Sequence, residues 1–174
     1  MNLLKKTLFI FVFFSLSYGP VLADSAFYLD FKFILNQSEA GKKAQTALKN
    51  ELNSGIKKLG DKEKIILEEE KKIIQQKKII SAEEYKKKVA NLRVKVSSLR
   101  TERNKLLESV AKKRSKARSK LLENLNPIIK EYMQEKKIRM VVDKKTVLLA
   151  DDNLDITKDI VEQLNKKLKS IKLN

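Results

Sequence analysis

Apolar residues change their spacing several times along the chain, and each change predicts a different element. Residues 25 to 35 (SAFYLDFKFIL) begin with a period of two, Phe27, Leu29 and Phe31 on one face and Ala26, Tyr28 and Asp30 on the other, which predicts a short strand. From about Ser38 the sequence becomes charged and helix-forming, and Leu52, Leu59, Ile66, Ile73 and Ile80 recur every seventh residue, a heptad row on one long helix. Gly55 and Gly60 are weak points near its start. Leu48, Ile56, Ile65, Leu67, Ile74 and Ile79 flank the row, and Ile65, Leu67, Ile74 and Ile79 widen the apolar stripe beyond what a two-helix seam buries.

The register breaks at residues 80–84. Ser81 with Glu84 three residues on forms a capping box, so a new helix starts there and the chain is expected to reverse. In the returning helix Tyr85, Val89, Leu92, Val96, Leu99, Arg103, Leu106 and Val110 alternate intervals of four and three, a coiled-coil seam with one substitution, at Arg103. Two arms of this length predict an antiparallel hairpin projecting about 60 Å at 1.5 Å per residue. Leu121, Leu125, Ile128 and Tyr132 continue at helical spacing, and Pro127 is expected to bend the helix or start another.

Towards the end, IRMVVD (138–143) and TVLLAD (146–151) read as two short strands of a hairpin joined at Asp143, Lys144 and Lys145. A final amphipathic helix follows, capped by Asp155 or Thr157, with Ile160, Val161, Leu164, Leu168 and Ile171 on its apolar side. The pattern as a whole predicts an α+β, mostly helical chain, with a small β-rich body built from its two ends and a long antiparallel coiled-coil arm between them. Strands this few and this short leave a thin core and open edges, and assembly through the body would relieve both.

The first 23 residues stand apart. Lys5 and Lys6 precede an apolar run from Leu8 to Leu16, then a Gly19–Pro20 breaker, with Val21 and Ala23 at the -3 and -1 positions of a cleavage site. The run falls short of the roughly 20 residues of a spanning helix, so residues 1–23 are expected to be a cleaved secretory signal peptide. The expected organisation is then body from 24 to 37, arm from 38 to 136 with its tip near 79–84, and body again from 137 to 174.

Composition narrows the chemistry. The chain has no Cys and no His, which removes disulfides, thiol nucleophiles, imidazole bases and the usual zinc ligands. It contains no glycine-rich phosphate loop and no nucleophile motif, so no enzyme function and no cofactor is expected. Asp151, Asn153, Asp155, Thr157, Asp159 and Glu162 take EF-hand spacings, but Ile156 stands where that loop turns on glycine; helix capping explains the acids better than a metal.

Charge points to anionic partners: 39 Lys and Arg stand against 22 Asp and Glu, a formal charge of +17. The stretch AKKRSKARSK places Lys112, Lys113, Arg114, Lys116, Arg118 and Lys120 together without an acid. Nucleic acid is not expected as a physiological partner, since no aromatic lies between Tyr85 and Tyr132 to stack a base and export removes the chain from the nucleoid. The alternatives are a solvated helix face or a patch that speeds encounter with acidic unfolded polypeptides. A second cluster at the tip, Lys71, Lys72, Lys77, Lys78, Lys86, Lys87 and Lys88, is either a solvated tip or a contact for anionic lipid or lipopolysaccharide.

Several stretches together resemble the Skp/OmpH family of periplasmic chaperones: AFYLDFKFILNQSEAGKKAQTAL at 26–48, the ISAEEYKKK tip, NPII at 126–129, and KIRMVVDKKTVLLADDNLDITKDIVEQL at 137–164. The resemblance implies a homotrimer whose β-rich bodies carry three helical arms around a cavity that holds unfolded outer-membrane proteins without ATP. In that setting Phe27, Leu29, Phe31, Ile138, Met140, Val142, Val147 and Leu149 are expected in the body core or trimer interface. A structural coiled-coil envelope protein, acting as tether or spacer, is the alternative.

Overall fold

The structure is a computed structural model that describes residues 26–173. The expected signal peptide lies outside the described residues. In chain order the elements are β1 (Phe27–Leu29), α1 (Phe31–Gln37), α2 (Glu39–Gln76), α3 (Ala82–Lys136), β2 (Val141–Asp143) and α4 (Thr157–Lys167), with 3-10 turns at Lys144–Thr146 and Asp152–Leu154.

Helices α2 and α3 form the arm, and the chain reverses between Gln76 and Ala82. Ser81 caps α3 by accepting the Glu84 N–H at 3.1 Å. Lys137 ends α3 in the left-handed conformation (φ 56°) and returns its N–H to the last turn, so the chain leaves the helix abruptly towards β2. Of the two outcomes expected at Pro127, a new helix does not start there: α3 runs through the proline. Its neighbours Leu125 and Ile128 are fully buried, and that packing holds the helix through the one position that lacks an N–H.

The body is built around the far ends of the arm. Strands β1 and β2 pair in parallel, Phe27 with Val141, Tyr28 with Val142 and Leu29 with Asp143, and the whole arm is the crossover between them. On its other edge β1 takes a single bridge, the Ile156 N–H donating to the Tyr28 carbonyl at 3.0 Å. Leu29, Ile34, Leu125, Ile128, Ile160 and Leu164, each at most 1% exposed, form the centre of the core. Tyr132 closes one side with its hydroxyl on Asp159; burial, and then this carboxylate, push its pKa up to about 12.

Two sequence expectations are corrected here. The strand stops at Leu29: the Asp30 carboxylate accepts the Phe33 N–H at 2.8 Å and starts α1, so Phe31 begins a helix. The hairpin of residues 138–143 with 146–151 does not form. The Asp143 carboxylate accepts the Lys145 N–H at 3.1 Å, and the Thr146 hydroxyl donates to the Asp143 carbonyl at 2.7 Å. These bonds wind the chain into a 3-10 turn, and β2 is left to pair with β1. The residues expected in the body core or trimer interface divide within the single chain. Leu29 and Ile138 are buried, Phe27 and Phe31 pack against the core, and Val142 and Val147 are half-buried. Met140 at 54% and Leu149 at 94% exposure lie outside the core of the single chain, because no second strand covers them.

The start of α4 is held by Asp155, which accepts the backbone N–H of Thr157 at 2.9 Å, the Thr157 hydroxyl, and Lys144 Nζ at 3.1 Å. Burial works against the charged carboxylate, but the Thr157 and Lys144 hydrogen bonds outweigh it and leave the pKa below its ordinary value. A depressed folded pKa contributes stability that is complete above the ordinary carboxylate value and disappears as pH falls through the lower folded one. Asp155→Asn is therefore expected to lower the urea midpoint at pH 7, with the gap to wild type closing under acid. A gap independent of pH would sink the assignment.

Candidate functional site

The arm has two unlike sides. Along one edge of the seam run four cross-helix polar pairs: Glu51 with Lys113 at 2.8 Å, Lys62 with Glu102, Glu69 with Lys95 at 2.6 Å, and Gln76 with Lys88 at 2.7 Å. Each step along α2 from pair to pair equals the step back along α3, so all four fix one register. Each exposed pair contributes only about 0–1 kcal/mol, so the ladder sets alignment more than stability.

Along the other edge Arg103 meets Glu63 at 3.4 Å; the residue that interrupts the heptads is an exposed edge residue. Ile56, Leu67 and Ile74 point within about 20° of one another on this side of α2, and Val96 and Leu107 do the same on α3. All five are half or more exposed, from 50% at Leu67 and Val96 to 60% at Ile74. Ile65 and Val94 lie on the outward backs of the helices, and Ile79 stands at the tip with 83% exposure. Sequence reading singled out Leu67 and Ile74 but missed Val96 and Leu107 as surface residues, because heptad spacing alone placed Val96 in the seam. The eleven-residue interval shared by Ile56 with Leu67 and by Val96 with Leu107 was the available signal.

The tip cluster is partly engaged. Lys77 lies over the Tyr85 ring at 5.8 Å, and Lys88 reaches Glu84 as well as Gln76. Lys71, Lys72, Lys78, Lys86 and Lys87 form no ion pair among the described residues.

The basic run is also divided. Lys113 is taken by Glu51, Lys116 is engaged, Ala117 packs into the seam, and Lys112 and Lys120 face solvent. Arg114 and Arg118 border a groove at the arm root, where lysines from other elements join them. Those lysines are Lys32, Lys42, Lys49 and Lys145; no sequence pattern linked them, because only the fold brings them together.

The acidic run 151–162 is used within the fold. Asp151 caps a 3-10 turn through the Asn153 N–H, Asp155 and Asp159 accept the bonds described above, and Glu162 pairs with Lys166 at 2.7 Å. Among the described residues no acid cluster is arranged to hold a metal ion, and no helix is long and apolar enough to cross a membrane.

A family model described as outer membrane protein (OmpH-like) matches residues 25–164. The crystal structure of a candidate outer membrane chaperone, OmpH-like, from Caulobacter crescentus superposes with a TM-score of 0.81 at 22% identity, covering 90% of this chain and 92% of that one. At that identity the likeness is one of fold. A search among curated proteins gives no match.

Proposed function

The chain belongs to the OmpH-like outer membrane protein family, and on that premise we propose that it is a periplasmic holdase that keeps unfolded outer-membrane proteins from aggregating. One observation carries the reading: an arm whose apolar edge, Ile56, Leu67, Ile74, Val96 and Leu107, is left exposed by the described residues while the other edge is closed by polar pairs. Apolar patches spaced along a rigid rod offer weak, repeated contact to a chain without structure, and release needs no chemical step. The absence from the sequence of a phosphate-binding loop is in keeping with a cycle that does not use ATP.

The working unit is a homotrimer. Its support is the thin body and the two leucines that the single chain leaves bare, Leu148 at 104% and Leu149 at 94% exposure. Three arms facing one another on their apolar edges would line a cavity, and the polar ladders would face water. The basic tip remains open to anionic lipid or lipopolysaccharide.

The test is aggregation of an outer-membrane β-barrel protein diluted from urea. The mature chain is expected to suppress light scattering at near one trimer per client. Ile56→Ser with Leu67→Ser and Val96→Ser is expected to weaken that protection while the helical signal is kept. Wild-type protein that leaves aggregation unchanged would favour the tether or spacer.

A further inference from the structure

We propose that the groove at the arm root binds an acidic, apolar-bearing stretch of extended polypeptide; this rests on the holdase reading and gives its client a second, charge-selective foothold. The groove lies between α1, the start of α2, the root half of α3 and the turn after β2, with a volume of about 1150 Å³. Pockets that enclose a drug-sized molecule measure about 300–1,000 Å³, so this open groove has room for several residues of chain.

Its floor is apolar: Phe31, Leu35, Leu48, Leu52, Val110 and Leu121. Its rim is basic: Lys32, Lys42, Lys49, Arg114, Arg118 and Lys145 come from four separate elements. Among the described residues none of these six side chains is in an ion pair. Asp143 is the one carboxylate among the lining residues, and it is occupied with the Lys145 N–H. Lys62, Lys95 and Lys113 show the other arrangement on the arm, each matched with an acid of the facing helix. At the root the fold gathers like charges and leaves them unmatched, which an anionic occupant would relieve.

The arrangement favours polypeptide over a simple anion or a lipid. The six cations stand on four separate elements, so the successive carboxylates of an extended chain suit them better than one phosphate. Gln45 Nε2 donates to Asn36 Oδ1 at 2.8 Å on the groove wall, which leaves the Asn36 amide N–H, the Gln45 carbonyl and the Thr46 hydroxyl for a peptide backbone. An acyl chain would leave those groups unmatched.

The division of the basic run supplies the test. A fluorescein-labelled dodecapeptide alternating Asp or Glu with Leu or Phe is titrated with full-length mature protein, and anisotropy is read. Arg114→Glu with Arg118→Glu is expected to weaken binding by about tenfold or more. Lys112→Glu with Lys120→Glu carries the same charge change on the same helix, outside the groove, and is expected to change binding by less than about twofold. A peptide with Ser at every Leu and Phe is expected to bind about tenfold more weakly. Lys42→Glu with Lys145→Glu must repeat the effect of the arginine pair, which guards against a local loss of structure in α3.

Equal losses from both α3 pairs would reduce the effect to diffuse charge and overturn the proposal. So would phosphatidylglycerol vesicles bound through these residues with no peptide bound, or groove variants that change only the oligomeric mass, which would assign the groove to a second copy of the chain. Because binding is read directly, a chain that takes the peptide here yet fails to protect a β-barrel client loses the holdase function and keeps the groove. A chain that protects the client but ignores the peptide loses the groove alone.

Discussion

Gly41→Ala is expected to cost about 3 kcal/mol of folding stability, read as a fall in the urea midpoint of the mature chain. The reason is space. A Cβ on Gly41 would lie 2.0 Å from the Leu35 carbonyl oxygen and 2.9 Å from Ser38 Oγ. Helices α1 and α2 are separated by Ser38 alone, which is fully buried, donates its N–H to the Ile34 carbonyl and accepts the Gly41 N–H. The oxygen that must yield belongs to a backbone anchored by Ile34 in the centre of the core, so relief requires α1 to move off α2.

The other arm glycines provide the contrast. Gly60 has nothing within 4 Å of its notional Cβ, and Gly60→Ala is expected to gain about 0.5–1 kcal/mol from the helix alone. Gly55 is covered by Leu106, whose Cδ2 would lie 2.5 Å away, but a side-chain end can turn aside; Gly55→Ala is expected within about 1 kcal/mol of wild type. Gly41→Ala no worse than Gly55→Ala would show that the α1–α2 junction is looser than its geometry implies.

Leu148→Lys with Leu149→Lys is expected to convert the proposed trimer to single chains in light scattering and to abolish the proposed protection of an unfolded β-barrel. Both leucines are almost wholly exposed in the single chain, so the substitutions remove no packing within it and the helical signal should be unchanged. Covering each leucine at an interface contributes about 1.5–3 kcal/mol, repeated in every subunit, and a lysine there adds a cost of losing water. A variant that keeps the wild-type mass would place the assembly surface elsewhere, and a wild-type chain that runs as a monomer would remove the cavity.

These contrasts mark what was readable beforehand. The two long helices and the reversal between them were legible because a heptad row and a Ser81–Glu84 cap act over a few residues of one chain. Arg103 was legible as a break in the row, but its place beside Glu63 was not, since an edge residue and a seam residue share the same spacing in sequence. The 146–151 segment misled because apolar, β-branched composition suits a strand, while the hydrogen bonds of Asp143 and Thr146 wind the chain first.

The basic run shows the same limit at the candidate site. Its six charges fall within nine residues of sequence and diverge on the helix, and the groove takes two of them, Arg114 and Arg118. By itself the sequence determined the elements that local forces make: helices from periodicity, the tip from a cap, and a basic surface from composition. Only the tertiary structure decided which strand pairs with β1 and which distant lysines meet the two arginines. Those outcomes depend on contacts between residues far apart in the chain, and no local pattern encodes them.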